Sequence, residues 1–200
     1  MFDRYALKIT KPLFDGLARQ VHQAGFNADQ VTFASFGFGM VSALLIAAGH
    51  SYLAIVPLLA GRLLDGLDGA VARITTPTDR GAYLDISLDF LFYAAVPLAF
   101  ATTDPLASAV LLAAFIGTGT SFLAYATIAE KRGDKSTDYP SKSFFYLGGL
   151  AEGTETITCF VLMCLWPQHF AVFAYIYATM CCVTTATRLL EGWKRFVTKN

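Results

Sequence analysis

Four aspartates form two pairs within an otherwise mostly apolar stretch of this sequence. Asp65 and Asp68 are three positions apart and Asp85 and Asp89 are four apart, so each pair shares one face if its stretch is helical. Two such helices would bring the carboxylates to one place. Clustered carboxylates need a cation to neutralise them, and hard oxygen ligands suit Mg²⁺ or Mn²⁺ better than Zn²⁺, which prefers Cys and His. The spacing therefore predicts a divalent metal site.

Glycines and an arginine accompany these acids. Arg73 places a planar guanidinium beside them, which suits a phosphate group. Glycine, which has no side chain, occupies positions where two helices and a bulky ligand would approach each other. These positions are Gly61, Gly66, Gly69 and Gly81. Any one aspartate also has an ordinary interpretation as a surface acid at a helix end. The whole array favours the metal and phosphate interpretation, because so many matched positions are hard to obtain by chance.

The full pattern runs Asp65-x-x-Asp68-Gly69-x-x-Ala72-Arg73, seven residues, and then Gly81-x-x-x-Asp85-x-x-x-Asp89. It resembles the signature of the CDP-alcohol phosphotransferase family, and every fixed position of that signature is matched. The chain length and the predicted number of spans are also similar to those of the family. The resemblance implies an integral membrane enzyme, usually a homodimer, that moves a phosphatidyl or related group from a CDP-linked donor to an alcohol.

The resemblance also implies roles for the motif residues. Asp65, Asp68 and Asp85 would hold two divalent ions, Mg²⁺ or Mn²⁺, that clamp the donor diphosphate, and Asp89 would complete the cluster. Among the four, we assign Asp89 as the general base for the acceptor hydroxyl. The segment from Asn27 to Thr32 resembles one that precedes the first span of the family near the nucleotide, although both residues serve equally well as helix caps. The implied donor-binding residues are Gly69, Ala72, Arg73, Gly81, Asn27 and Thr32.

The composition predicts the elements that position these residues. With 55% apolar residues, 15% charged residues and a positive mean hydropathy, the chain is typical of a membrane protein. We predict one all-α domain over 1–200, a polytopic membrane protein with six transmembrane helices and an N-terminal amphipathic interfacial helix over 2–24. The spans are predicted near 32–49, 52–72, 81–103, 105–129, 144–166 and 168–188. The four cysteines lie in apolar runs, which predicts buried reduced thiols.

The basic residues predict the orientation of the chain. With six spans, all fifteen Lys and Arg residues fall on one side of the membrane, and the opposite loops have none. The positive-inside rule then places both termini and the aspartates on the cytoplasmic side of the inner membrane. Five or seven spans would leave basic groups on the outer side.

A second set of polar residues is a candidate acceptor site. Glu152 and Glu155 lie one helical turn apart in the predicted fifth span, where they either recognise the acceptor or form a structural pair, for example Glu152 with Arg188. Basic residues near this region either bind a phosphorylated acceptor or only set the topology and contact anionic lipids. They are Lys131, Arg132, Lys142 and Arg188. We predict a phosphorylated polyol such as glycerol phosphate or inositol phosphate, with serine or inositol as the alternative.

The sequence disfavours two other functional classes. A cation transporter would use the same aspartates as an ion path, but the acids are confined to one side and the opposite half of every predicted span is uncharged. A protein that keeps the fold without activity is disfavoured by the complete motif. Trp166 and Trp193 lie near span ends, as expected for anchors at the membrane interface rather than for a nucleic-acid site.

Overall fold

The computed structural model describes residues 14–133 and 149–197, and within these ranges every regular element is helical. The all-α prediction is therefore confirmed for this part of the chain. Two short 3₁₀ turns lie at Phe100–Thr102 and Pro167–His169. The helices are α1 (14–23), α2 (Ala28–Ala47), α3 (Ser51–Ile74), α4 (Asp79–Ala99), α5 (Pro105–Lys131), α6 (Gly153–Leu165) and α7 (Phe170–Arg195).

Side-chain caps fix where the helices begin. Asn27 precedes α2, and its Oδ1 accepts a hydrogen bond from the Gln30 N–H at 2.9 Å. The Gln30 side chain in turn accepts from the Asn27 N–H at 3.0 Å, which completes a capping box. Asp104 accepts from the Ala107 N–H at 2.9 Å, and Pro105 occupies the first position of α5. The break that the sequence predicts at Asp104-Pro105 is present.

The pair formed by α2 and α3 is held by polar contacts between small residues. Ser35 Oγ donates to the Gly61 carbonyl at 2.9 Å, and Ser42 Oγ donates to the Ala54 carbonyl at 3.0 Å. A Cβ at position 61 would lie 3.0 Å from the Ser35 carbonyl oxygen, which is tighter than ordinary packing. Glycine at this position therefore allows the two helices to approach closely, as the sequence predicts.

An aromatic cluster packs beneath the aspartates. Phe92 and Phe160 are fully buried, and their rings meet edge to face with centroids 5.9 Å apart. Tyr93 stacks on Phe115 with a centroid separation of 6.2 Å. These contacts join α4 to α5 and α6, so the helix that carries Asp85 and its neighbours rests on a densely packed base.

Among the described residues, four helical segments are long and apolar enough to cross a membrane. They are α2, α4 with its following turn (Asp79–Thr102), α5 and the segment Pro167–Arg195. The α3 helix has 24 residues, but every long window of it contains Arg62 and the first two motif acids. The α6 helix has 13 residues and a length of about 20 Å, less than the hydrocarbon thickness. Six spans remain a prediction.

The start of α6 differs from the sequence prediction of a span over 144–166. The helix begins at Gly153, and 149–152 are not helical. The backbone N–H groups of Leu150 and Ala151 donate to Thr184 Oγ1 on α7 at 3.1 and 3.0 Å instead of entering a helix. Glu152, expected inside the span, is consequently the residue that precedes the first turn.

The described part of the predicted interfacial helix 2–24 packs on α3. Ala18 is fully buried in a cluster with Leu67 and Val71, and a Cβ at Gly66 would lie 3.0 Å from the Phe14 ring. Part of the apolar face of α1 is thus covered by the helix that carries the first motif half, while Leu17 remains exposed. Residues 2–13 lie outside the described ranges, and the position of the segment in the membrane remains a prediction.

The prediction for the cysteines holds with one exception. Cys159, Cys164 and Cys181 are buried as free thiols. Cys182 is also a free thiol but is exposed on α7, so the prediction of burial is wrong there. Adjacent helical residues point in directions about 100° apart, so Cys181 and Cys182 cannot both face the core.

Candidate active site

The two halves of the aspartate motif meet at one point. Asp65 and Asp68 come from α3 and Asp85 from α4, and one carboxylate oxygen of each lies within 4.8 Å of the other two. Asp68 is 5% exposed, and its Oδ2 is buried without a hydrogen-bond partner among the described residues. Buried polar atoms are rarely left unpaired. The three carboxylates therefore suit a hard divalent cation, for which Asp68 Oδ2 would be a ligand.

The fourth aspartate lies beside this triad and is paired with an arginine. Asp89 Oδ1 accepts from Arg62 Nη1 at 2.7 Å. The same Nη1 lies 3.5 Å from Asp65 Oδ2. Asp65, Asp85 and Asp89 also line one pocket together with Thr32. The structure thus brings all four motif acids together, with a fixed positive charge between two of them.

Arg62 is a site residue that the motif does not contain. Its guanidinium carbon lies 4.4 Å from the centre of the Phe92 ring, and its side chain is 12% exposed. Nη2 lies 3.4 Å from Ser35 Oγ. One signal was available in the sequence, because Arg62 is one helical turn before Asp65 and thus on the face that carries the acids.

The residues expected to bind the donor surround the acid-bearing ends of α3 and α4. Thr32 is buried, lines the pocket and donates to the Ala28 carbonyl at 3.0 Å. Asn27 acts as the cap of α2. Arg73 is exposed, and its guanidinium would lie 3.4 Å from a Cβ placed at Gly69. Two further members, Ala72 and Gly81, are half-buried at the end of α3 and the start of α4.

A sequence profile of the CDP-alcohol phosphatidyltransferases matches residues 26–190, which include both halves of the motif. The chain belongs to this family. It is accordingly a transferase of the phospholipid-synthesis class and a membrane protein, as its motif and apolar helices predict.

Individual relatives agree with this assignment. The chain is 48% identical over 197 residues to "Inner membrane protein YnjF" of Escherichia coli (strain K12), covering 96% of each. It has the fold of Mycobacterium tuberculosis phosphatidylinositol phosphate synthase (PgsA1) with CDP-DAG bound, with a TM-score of 0.71, 22% identity and coverage of 91% of this chain and 94% of that one. The PgsA1 complex with manganese and citrate gives a TM-score of 0.70 at 23% identity, with coverage of 90% and 88%.

The cationic candidates for the acceptor site of this phosphatidyltransferase fall into two groups. Lys131 and Arg132 are exposed at the C-terminal end of α5. Arg188 is 6% exposed on α7, and its Nη1 donates to the Thr118 carbonyl on α5 at 3.1 Å. Lys142 lies outside the described residues. Arg188 is therefore the described member that points into the protein.

The acidic candidates lie at the start of α6. Glu152 is 6% exposed, and its carboxylate accepts from the Gly149 N–H at 2.9 Å. Glu155 is half-buried in the first turn of the helix. The non-helical segment 149–152 is tied to Thr184, one turn before Arg188 on α7. The acidic segment is consequently held to the part of α7 that carries the buried arginine.

Proposed function

We propose that the protein transfers a phosphatidyl group from a CDP-diacylglycerol-type donor to the hydroxyl group of a small alcohol, with release of CMP. The observation that carries the proposal is the convergence of Asp65, Asp68 and Asp85 within 4.8 Å in a chain of the phosphatidyltransferase family. A protein of the same fold has been solved with CDP-DAG and with manganese, which supports the choice of donor and of a divalent ion.

The carboxylates of Asp65, Asp68 and Asp85 would hold two ions, Mg²⁺ or Mn²⁺, with Asp89 completing the cluster. Ions bound there neutralise charge on the donor diphosphate and on the departing CMP. Carboxylates from two helices fix the ligand positions before the substrate arrives, which is the protein's own contribution to catalysis.

In the transfer step Asp89 accepts the proton of the acceptor hydroxyl. The hydroxyl oxygen forms a bond to the phosphorus that carries diacylglycerol, and the bond from that phosphorus to the bridging oxygen breaks, so CMP leaves with the electron pair. Because a carboxylate is a weak base, the contribution of Asp89 depends mainly on its placement. The contact with Arg62 at 2.7 Å restricts that placement.

The donor pocket is assigned to the residues around the acid-bearing ends of α3 and α4. Gly69 and Gly81 leave space for the diphosphate beside the carboxylates. Arg73 is exposed and free to turn its planar group toward a phosphate. Thr32 lines the pocket beside Asp65 and Asp85. The remaining assigned positions are Ala72 and Asn27.

For the acceptor we propose a phosphorylated polyol such as glycerol phosphate or inositol phosphate. Arg188 supports this choice, since it is a buried cation beside a non-helical segment, and such backbone inside a membrane protein lines a cavity or is buried in protein. Lys131, Arg132 and Lys142 would add positive charge around it. An unphosphorylated acceptor such as serine or inositol is the second candidate, because the buried Glu152 and its neighbour Glu155 would suit a hydroxyl or amine.

The setting that we propose is a homodimer in the inner membrane with six spans, and with both termini and the active site on the cytoplasmic side. The one-sided distribution of the fifteen basic residues supports this orientation. Nothing among the described residues favours the cation-transporter hypothesis.

The direct test is a product analysis. Purified protein in lipid nanodiscs is incubated with CDP-diacylglycerol, Mg²⁺ and one acceptor at a time, and CMP and new phospholipids are identified by mass spectrometry. The matched pairs are glycerol phosphate with glycerol and inositol phosphate with inositol, with serine as a further acceptor. Acceptor-dependent CMP release is expected, and it should be lost in Asp68→Asn but kept in Asp79→Asn, an exposed acid at the start of α4. Equal turnover in the two variants would refute the proposed site.

A further inference from the structure

One cation is placed inside the aspartate cluster. Arg62 Nη1 is 2.7 Å from Asp89 Oδ1 and 3.5 Å from Asp65 Oδ2, so it contacts one acid of each helix. The ion-binding triad consists of Asp65, Asp68 and Asp85. Asp89 completes the cluster at its edge and is the motif acid in closest contact with the arginine, through Oδ1.

The guanidinium of Arg62 is held in place by its surroundings. It lies over the Phe92 ring at 4.4 Å and near the Tyr93 ring at 5.9 Å, both on α4. Nη2 reaches Ser35 Oγ on α2 at 3.4 Å, and Ser35 is itself bound to the Gly61 carbonyl. Three helices therefore fix the group, which is also largely buried. A planar guanidinium held in this way positions a carboxylate more strictly than a flexible ammonium group would.

We propose that Arg62 is a positioning residue that holds Oδ1 of Asp89 away from the ions, so that Asp89 adds at most one oxygen to the cluster and keeps its orientation toward the acceptor hydroxyl. The inference rests on the proposed function and adds a residue that the motif does not contain. Arg62 draws Asp89 toward itself by a charge-assisted hydrogen bond. Its positive charge beside Asp65 also opposes the approach of a divalent ion.

Removing the charge of Arg62 should therefore change ion affinity and turnover in opposite directions. Without the charge of Arg62, both oxygens of Asp89 are free to bind the ions and repulsion of the ion decreases, so the ion binds more tightly. Asp89 is then no longer held for the hydroxyl, so kcat falls. An arginine that only stabilised the packing of α3 on α4 would, when removed, weaken ion binding and turnover together.

The experiment compares Arg62→Gln with the wild type in nanodiscs, with no substrate present, by titrating Mn²⁺ and following the free ion by electron paramagnetic resonance. We expect Arg62→Gln to bind Mn²⁺ about tenfold more tightly, as expected for removing a cation a few ångströms from the site. Its kcat should fall roughly 10²-fold at saturating ion, with the KM for CDP-diacylglycerol little changed. In the double variant Arg62→Gln/Asp89→Asn the gain in Mn²⁺ affinity should shrink, because the freed carboxylate is absent.

Arg80→Gln is the matched control. Arg80 contacts Asp29 at 2.6 Å, but it is 76% exposed and pairs outside the aspartate cluster. Its removal should leave the Mn²⁺ affinity close to that of the wild type. An equal change in both arginine variants would overturn the inference, since a general loss of positive charge would then explain the result.

Further outcomes separate the inference from the proposed function. Weaker or unchanged Mn²⁺ binding in an Arg62→Gln protein that still unfolds cooperatively would overturn the inference alone. If that variant does not fold, Arg62→Lys decides, because it keeps the charge and loses the planar fork. We expect near wild-type Mn²⁺ affinity with reduced kcat, and an unchanged kcat would overturn the role. A wild-type protein that binds no Mn²⁺ and no Mg²⁺ would instead overturn the metal site of the proposed function.

Discussion

Thr184 on α7 accepts a hydrogen bond from the backbone N–H of Leu150 at 3.1 Å, across 34 positions of sequence. The same hydroxyl accepts from the Ala151 N–H at 3.0 Å. One side chain thereby satisfies two backbone donors that would otherwise be left unpaired at the start of α6. This hydroxyl joins the non-helical segment, which contains the candidate acceptor residue Glu152, to α7.

Replacing Thr184 by Val should loosen that segment. The change keeps the shape of the side chain but removes the acceptor of two partly buried N–H groups, at a cost of about 0.5–1.5 kcal/mol for each hydrogen bond lost. We expect the KM for the acceptor to rise while the KM for the CDP donor changes little. Kinetics with each substrate varied separately measures the difference. Thr179→Val is the control, since that exposed hydroxyl donates only to the Tyr175 carbonyl of its own helix; the same KM change in both variants would contradict the prediction.

Removing one charge from the triad should abolish most of the activity. Asp65→Asn, Asp68→Asn and Asp85→Asn are each expected to lower turnover roughly 10²- to 10³-fold, because each removes ligand charge from the site. Chelation with EDTA should have the same effect on the wild type, and added Mg²⁺ or Mn²⁺ should reverse it. Release of CMP is the measurement. Protease accessibility in membrane vesicles should remain that of the wild type, and robust turnover in EDTA would exclude the metal site.

Asp89→Asn should separate binding from chemistry. The proposed work of Asp89 belongs to the transition state, so the variant should lose transfer while it keeps much of its affinity for the CDP donor. Equilibrium binding of a radiolabelled CDP donor and single-turnover transfer measure the two quantities. Wild-type turnover in this variant would move the general base to another residue.

The acceptor class is decided by comparing Arg188→Ala with Glu155→Gln. If the acceptor carries a phosphate, Arg188→Ala should lose about 2–5 kcal/mol of interaction with it and hence its preference over the unphosphorylated alcohol. If the acceptor is neutral or an amine, Glu155→Gln should be the variant that responds. The assay uses glycerol phosphate against glycerol and inositol phosphate against inositol. A wild type that turns over an unphosphorylated alcohol best would refute the phosphorylated acceptor.

The meeting of Asp65, Asp68 and Asp85 was predictable from the sequence. Helical spacing fixes which residues share a face, and the family motif indicates that the two faces meet. The partner of Asp89 was not predictable in this way. The contact with Arg62 depends on how α3 and α4 are rotated against each other, and spacing within one helix does not determine that rotation.

The start of α6 shows a different limit of the sequence. Residues 144–166 are apolar enough to read as one continuous span, and hydropathy alone places Glu152 inside it. The hydrogen-bond acceptor for the N–H groups of Leu150 and Ala151 is Thr184, which lies on another helix and far along the chain. Hydrogen bonds to such a distant partner are not visible in the spacing of residues within 144–166.

The close pairing of α2 and α3 has a consequence for the order in which the site is assembled. The two helices are joined by a short turn at 48–50, and the bond from Ser42 to the Ala54 carbonyl spans only 12 positions. Local contacts of this kind form early, and chains fold from the N-terminus while they are synthesised. The hairpin can therefore form before the ribosome has reached α4, with Asp65 and Asp68 already on one face. Ion binding must wait for the later arrival of Asp85.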